Sequence, residues 1–359
     1  MFNEYYRGKR VLVTGHTGFK GSWLSRWLLQ LGAQVIGYSL DPIQEPSHFE
    51  LLGLADEMID IRGDIRDLDH FEKVVNEHKP QVIFHLAAQP IVSIGYDDPK
   101  LTFETNMNGM LTVLEAGRKA EFIETMVLIT SDKAYRNVEW EWGYRENDEL
   151  GGYDPYSASK GAAELVFRSY AKSYYMSEKL ANIATTRAGN VIGGGDWSLD
   201  RIVPDCVAAW AKGEAVTIRS PKATRPWQHV LEPLGGYLAL GAALGVSDEL
   251  NGESFNFGPM ASVIQSVEEL LKQFAVYWPS AKWNQVPSDH AEANLLKLCC
   301  DKALQRLKWQ AVLDFDKTVE MTANWYRHYY EGQNAAELSD QQIAAYVDFA
   351  RECGATWAK

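Results

Sequence analysis

Two kinds of apolar pattern alternate along the first half of this chain. One is a short run with few polar breaks, as in Arg10-Val11-Leu12-Val13-Thr14, Gln34-Val35-Ile36-Gly37-Tyr38-Ser39 and Met58-Ile59-Asp60-Ile61. It recurs in Gln81-Val82-Ile83-Phe84-His85-Leu86, Met126-Val127-Leu128-Ile129 and residues 181–186. The other has helical spacing. Trp23, Leu24, Trp27, Leu28 and Leu31 share one stripe that ends at Gly32, and residues 68–77, 103–120 and 161–177 read the same way. Strands that are almost wholly apolar suit a parallel sheet buried on both faces, and strict alternation with helices gives right-handed crossovers. The expected fold is α/β, a doubly wound parallel (Rossmann) sheet with a smaller C-terminal domain. Residues 255–259 read as a strand returning to the sheet. Residues 266–278, 315–331 and 339–352 read as amphipathic helices used for packing or an interface. The expected division is 1–187 plus 226–258 for the sheet domain and 188–225 plus 259–359 for the second.

Composition narrows this only at the edges. A chain of 359 residues is long for one core, and a net charge of −13 argues against a nucleic-acid surface. No apolar run approaches the ~18 residues of a membrane helix, and residues 1–10 lack the apolar centre of a signal peptide. The four cysteines form no C-x-x-C pair, and Cys299 and Cys300 are neighbours. Neither a zinc site nor a disulfide framework is expected, so the expectation is a metal-free protein in a reducing cytoplasm.

Chemistry collects where the strands end. The first strand runs into Gly15-His16-Thr17-Gly18-Phe19-Lys20-Gly21 and then a helix, the setting in which glycines let backbone N–H groups approach a pyrophosphate. Asp41 follows the second strand, 20 residues after Gly21. A carboxylate there accepts both adenosine ribose hydroxyls and repels a 2′-phosphate, and no Arg or Lys lies between Asp41 and Ile61. NAD is therefore expected over NADP, the competing reading being a solvated Asp. Lys20 is a cation inside the glycine turn that suits a phosphate. After the third strand, Asp64 suits the adenine amine and Ile65 its face. After the fourth, Ala87 and Ala88 let a cofactor pass closely, while His85 reads as a satisfied strand-end residue. The fifth strand leads to Thr130-Ser131-Asp132-Lys133. A Gly/Asp/Pro loop then leads to a helix opening with Tyr156, and Lys160 lies four residues on, on the same face.

Together, Thr14-Gly15-x-x-Gly18-x-x-Gly21, Asp64-Ile65, His85-Leu86-Ala87-Ala88, Asn106 and Tyr156-x-x-x-Lys160 resemble the extended short-chain dehydrogenase/reductase family. Within it, residues 130–135 look like the signature of nucleotide-sugar 4,6-dehydratases, with Lys133 where a Glu is usual. That departure, with the glycine turn and Arg225-Pro226-Trp227-Gln228-His229-Val230, is similar to the branch acting on CDP-linked sugars. The resemblance implies cofactor contacts at Gly15, His16, Gly18, Phe19, Lys20, Gly21, Asp41, Asp64, Ile65, Leu86, Ala87, Ala88, Asn106, Tyr156 and Lys160. It implies substrate contacts at Gln89, Ser131, Asn190, Arg201, Arg225, His290 and Glu292, and a homodimer or homotetramer.

The implied reaction oxidises C4, removes water across C5–C6 and returns hydride to C6. Tyr156 as phenolate takes the C4 hydroxyl proton, with Lys160 and the nicotinamide charge stabilising it. Ser131 hydrogen-bonds the same oxygen. Asp132 is the acid for the C6 hydroxyl and must hold a proton in a dry site. Lys133 is the candidate C5 base and works only as a neutral amine, which requires a fall from about 10.4 to about 7. Tyr156 or a bound water is the alternative base, and a solvated turn is the bland reading of Asp132-Lys133. Three rival readings stand beside this one. A C4 epimerase has no need for Asp132 and Lys133, a GDP-mannose dehydratase usually keeps the Glu, and a non-catalytic NAD sensor commonly loses Tyr156 or Lys160.

Overall fold

The computed structural model describes residues 1–198, 200–218, 220–260, 263–286 and 295–359. Its centre is a sheet of seven parallel strands: β1 (Arg10–Thr14), β2 (Gln34–Ser39), β3 (Ile59–Arg62), β4 (Val82–His85), β5 (Thr125–Ile129), β6 (Asn182–Ala188) and the strand Glu253–Phe257. The spatial order runs from Glu253–Phe257 through β6, β5, β4 and β1 to β2 and β3. The order reverses beside β1, so the carboxyl ends of β1 and β4 flank the crevice where open α/β sheets bind ligands. In register, Thr14 stands opposite His85, and Ile129 opposite Thr186.

The helical segments cover both faces. α1 (Phe19–Gln30) buries Trp23, Leu24, Trp27 and Leu28, and these pack with Trp325, Tyr346 and Trp357 from the C-terminal part of the chain. On the opposite face, Phe71, Val74 and Val75 meet Met110, Val113, Leu114 and Phe167. Side chains of this size each bring about 2–3 kcal/mol when fully buried, so these two clusters dominate the driving force.

The region expected as one helix over 103–120 is three pieces. Helix Pro99–Phe103 passes through a wider turn at Glu104–Asn108 into helix Gly109–Arg118. A widened turn lets one residue leave the helical ladder. Asn106 is in that turn and is buried.

The second half adds short pairings around the sheet. Gln228–His229 runs parallel to Val191–Ile192, and Thr224–Arg225 runs antiparallel to Gln265–Ser266. Trp283–Gln285 runs parallel to Val216–Ile218. The long helices Phe315–Tyr330 and Ala335–Glu352 pack on each other, and Ala335–Glu352 also packs on α1. Among the described residues no helix is long and apolar enough to cross a membrane.

Candidate active site

A cleft of roughly 340 Å³ opens at the carboxyl ends of β1, β2, β4 and β5. Its floor is the glycine turn. Gly15 holds φ +72, and a Cβ there would stand 2.8 Å from the Ala87 amide nitrogen, so only glycine fits. A Cβ on Gly21 would overlap the Gly15 carbonyl. Gly18 caps α1 with no side-chain bond, which leaves the first N–H groups of the helix open to an anion. Thr17 ties the turn to the end of β2, through Ser39 Oγ at 2.8 Å and the Leu40 carbonyl at 3.0 Å. This cradle of missing side chains and unpaired helix amides fits a dinucleotide.

Phe19, Lys20, Asp41, Asp64, Ile65, Leu86, Ala87 and Ala88 all border the same cleft. Asp41 is exposed and lies 3.2 Å from Arg62 Nε. Arg62 also reaches Asp60 at 2.9 Å and lies over the Phe49 ring. Arg62 follows directly after the cation-free stretch from Asp41 to Ile61, and the β2–β3 register, with Arg62 opposite Ser39, returns it to Asp41. Arg66 forks onto Asp64, with Nη2 donating to Oδ2 at 2.5 Å and Nε to Oδ1 at 3.0 Å, and holds that carboxyl below its ordinary range.

Three expected contact residues turn their side chains to the scaffold. His16 is fully buried. Its Nε2 is 2.8 Å from Asp60 Oδ1, and its ring fills the place where a side chain on Gly37 would go. Burial lowers its proton affinity, against Asp60, which raises it. Asn106 accepts from Gln89 N at 2.9 Å and donates to the Gln89 carbonyl at 3.1 Å and Ser159 Oγ at 2.9 Å. Gln89 donates to Thr102 Oγ1 at 2.8 Å and accepts from Ile91 N at 2.6 Å. The imidazole of His16 and the amides of Asn106 and Gln89 therefore brace loops, and none of the three borders the cleft. His85 is buried, stands 2.8 Å from Thr14 Oγ1 and is pushed down to about 3 by burial, as expected of a strand-end residue.

The catalytic candidates converge. Asp154 caps the helix Pro155–Tyr170 by accepting from Ser157 N at 2.9 Å, and Pro155 sets its first turn. Tyr156 and Lys160 then face the cleft from successive turns, and Ser131, Asp132 and Lys133 face it from the end of β5. Ser131, Asp132, Tyr156 and Lys160 are buried, and Lys133 is half-buried. Ser131 Oγ donates to Asp132 Oδ1 at 3.0 Å and accepts from Lys133 N at 3.2 Å.

The electrostatics divide the groups. Burial raises the Asp132 carboxyl, while Lys133, Ser131 and Lys20 pull it back. Tyr156 is pushed up to about 12, first by burial; Ser131 and Arg201 favour its phenolate, and Asp132 opposes it. These two, rather than the Lys160 that helical spacing suggests, lead in favouring the phenolate. Lys160 is lowered to about 8, first by burial and then by Lys20, with Glu164 opposing. Lys20 is itself lowered to about 8 by burial and Arg201, with Asp132 and Asp196 opposing. Lys20 thus shares the field of the catalytic end as well as belonging to the glycine turn.

Of the expected substrate contacts, Asn190 and Arg201 border the cleft, and Arg201 lies 3.4 Å from Asp196. Arg225 donates to the Thr224 carbonyl at 2.8 Å within its short strand pair and does not border the cleft. His290 and Glu292 lie outside the described residues.

A parallel sheet carrying a glycine turn on β1 and a Tyr-x-x-x-Lys helix beside β5 defines a dinucleotide-binding short-chain dehydrogenase/reductase fold. Residues 12–322 match the family model described as GDP-mannose 4,6 dehydratase, and the chain belongs to that family. It is 42% identical over 350 residues to the CDP-glucose 4,6-dehydratase of Salmonella typhimurium, covering 96% of this chain and 98% of that one. Among solved structures it resembles the UDP-glucose 4-epimerase of Thermus thermophilus in complex with NAD, with a TM-score of 0.73 and 26% identity over 89% of this chain and 99% of that one. The dTDP-glucose 4,6-dehydratase of Bacillus anthracis shares the fold, with a TM-score of 0.75 and 22% identity over 92% of this chain and 100% of that one.

Proposed function

We propose that this protein is an NAD-dependent hydro-lyase. It converts CDP-D-glucose to CDP-4-keto-6-deoxy-D-glucose by C4 oxidation, elimination of water across C5–C6 and hydride return to C6. The reading rests on one observation: a buried carboxyl, Asp132, stands beside the hydroxyl of Ser131 at 3.0 Å in the same cleft as Tyr156 and Lys160. An oxidation alone needs the tyrosine, the lysine and the hydroxyl. A buried acid beside them adds the means to expel a C6 hydroxyl, which a C4 epimerase does not require.

NAD, when bound on the glycine turn, supplies reversible hydride acceptance. Tyr156 removes the C4 hydroxyl proton, and Ser131 holds that oxygen before and after it becomes a ketone. The ketone acidifies the C5 proton, and Lys133 takes it. Asp132, whose carboxyl burial raises, delivers a proton to the departing C6 hydroxyl. Asp41 holds the adenosine ribose, Ile65 packs the adenine, and Asn190 and Arg201 contact the nucleotide-sugar. Residues 1–187 plus 226–258 bind NAD, and 188–225 plus 259–359 bind the nucleotide-sugar. The enzyme works in the cytoplasm as a homodimer or homotetramer, in deoxysugar and lipopolysaccharide O-antigen synthesis.

The test is incubation with CDP-glucose deuterated at C4, beside UDP-, dTDP- and GDP-hexoses. The expected product absorbs as a 4-ketosugar in base, forms from the CDP sugar, and carries the deuterium at C6. Solvent hydrogen at C6, or equal turnover of all four nucleotides, would reject the reading.

A further inference from the structure

Directly behind the catalytic segment lies a fully buried ion pair that no step of the reaction uses. Glu164 is on the Tyr156 helix, four residues past Lys160, so Tyr156, Lys160 and Glu164 form one file along its inner face. Arg187 is on β6, and its Nη2 and Nε donate to the two Glu164 oxygens at 2.7 and 2.9 Å. Both side chains are 1% exposed. Nothing about such a pair is needed for the hydrophobic core: matched apolar residues in its place commonly leave a fold as stable.

Its remaining bonds run toward the site. Glu164 Oε1 accepts from Thr130 Oγ1 at 2.5 Å, one residue before Ser131, and Thr130 N donates to the Thr186 carbonyl at 2.8 Å. Glu164 Oε2 accepts from Thr185 Oγ1 at 3.0 Å. On the far side Arg187 Nη1 donates to Tyr135 Oη at 2.8 Å and to the Glu146 carbonyl at 3.0 Å. Tyr135 in turn donates to Asn256 Oδ1 at 2.8 Å. The pair therefore grips the stretch that carries Ser131, Asp132 and Lys133 at both of its ends, Thr130 and Tyr135. The same carboxylate is one helical turn from the Lys160 amine.

The geometry points to Glu164 and Arg187 as positioning residues that set the 131–133 segment against the Lys160 face of the cleft, an inference that rests on the roles proposed above. The grip fixes where Ser131 and Asp132 stand relative to the sugar, and the carboxylate favours the ammonium form of Lys160 against burial and Lys20. The titratable groups that act with Lys160 are Glu164 along its own helix, Lys20 from α1 and the buried, neutral His85 at the end of β4. Lys20 acts against the ammonium form, which leaves Glu164 as the support.

Glu164→Gln keeps the shape and removes the charge. It is expected to lower kcat about 10²-fold, the scale set by small misplacements of catalytic groups, with KM for the nucleotide-sugar changed less than about threefold. The alkaline limb of the kcat profile moves to lower pH. Lys160 in that variant also becomes acetylated by acetic anhydride at lower pH, as read by peptide mass spectrometry. This readout does not require turnover, so it judges the pair even if the proposed substrate is wrong; absence of turnover in the native enzyme would count against the substrate reading alone. A purely structural pair would lower Tm and leave the limb and the labelling where they are, and that result overturns the inference. Should Glu164→Gln not fold, Thr130→Val cuts the grip and keeps the pair. It is expected to reduce kcat about tenfold with Lys160 labelling unchanged, and unchanged kcat would overturn the inference.

Discussion

Ser131 Oγ donates to Asp132 Oδ1 across 3.0 Å, and burial raises the Asp132 carboxyl against the opposing pull of Lys133, Ser131 and Lys20. The same hydroxyl favours the phenolate of Tyr156. One serine thus links the group that removes a proton to the group that must supply one. Asp132→Asn removes the proton source and keeps the shape. It is expected to cut 4-ketosugar formation by 10²–10⁴-fold, the usual range for a lost acid, with NAD binding within about threefold of native. In the native enzyme the elimination rate falls as pH rises through the raised Asp132 titration, and in Asp132→Asn that component is lost, leaving the alkaline limb set by Lys160. Rapid-quench product analysis between pH 5 and pH 9 reads both.

Lys160 gives a stability prediction with a definite sign. Its amine is lowered from an ordinary 10.5 to about 8, so the unfolded chain binds the proton more tightly than the folded one. Below pH 8 the folded protein carries the whole penalty. Between about 8 and 10.5 the folded protein has released this proton while the unfolded chain still holds it, so the native state gains stability with rising pH. Lys160→Met removes the penalty and is expected to stabilise the protein at pH 7 by as much as about 3 kcal/mol, while abolishing most turnover. The gain over native shrinks toward zero near pH 10.5. Denaturant midpoints at pH 7 and pH 10 check it.

Asp41, proposed above to hold the adenosine ribose, lies 3.2 Å from Arg62. Asp41 and Asp60 share Arg62, and in the proposed binding mode the Asp41 carboxylate meets the ribose. Asp41→Asn removes the repulsion against a 2′-phosphate and releases Arg62 Nε to meet one, with Asp60 still holding Nη2. The NAD over NADP preference is expected to fall about 10- to 100-fold, chiefly through tighter NADP, because Arg pairs phosphate with two parallel bonds. Fluorescence titration with both reduced cofactors reads the ratio. An unchanged ratio would remove Asp41 from cofactor selection.

The strands were legible because a buried parallel strand has to be apolar, and each expected run falls within a residue or two of an observed one. The return strand was legible for the same reason, since Phe255 and Phe257 bracket a polar Asn256. The helix over 103–120 was misread. Nothing in its apolar spacing shows that Asn106 leaves the ladder to hold both polar groups of the Gln89 backbone. The site divides likewise. A motif names which backbone lies at the crevice, so Gly15, Gly21, Asp132, Tyr156 and Lys160 border the cleft as their motifs imply. It does not fix a side-chain torsion, so His16, Asn106 and Gln89 were expected to face a ligand and instead face loops. Glu164 had a signal that went unused: four residues past Lys160, it continues the file already drawn through Tyr156. Arg62 needed the β2–β3 register, which spacing along the chain does not supply.

Glu232 lies far from the reaction and decides how the C-terminal helices are held. Its Oε1 accepts from Val312 N at 2.8 Å and Leu313 N at 2.6 Å, and Oε2 accepts from Tyr346 Oη at 2.9 Å. Burial pushes the carboxyl up to about 7, and the three donors only partly offset this. A raised acid is most favourable to the fold below its unfolded value of 4.5, and native stability declines as pH rises from there to about 7. Glu232→Gln keeps an oxygen for the two amides and places its NH₂ toward Tyr346, whose hydroxyl also accepts. It carries no charge, so relative to native it gains stability between pH 5 and pH 7.5, by up to about 3 kcal/mol. Glu232→Ala leaves two backbone N–H groups and a phenol buried without partners, each worth about 1–3 kcal/mol, and is destabilising at every pH. Urea unfolding of the three proteins at pH 5 and pH 7.5 separates the cases. A native-minus-Gln difference that does not change between those two pH values would place the titration of this carboxyl elsewhere.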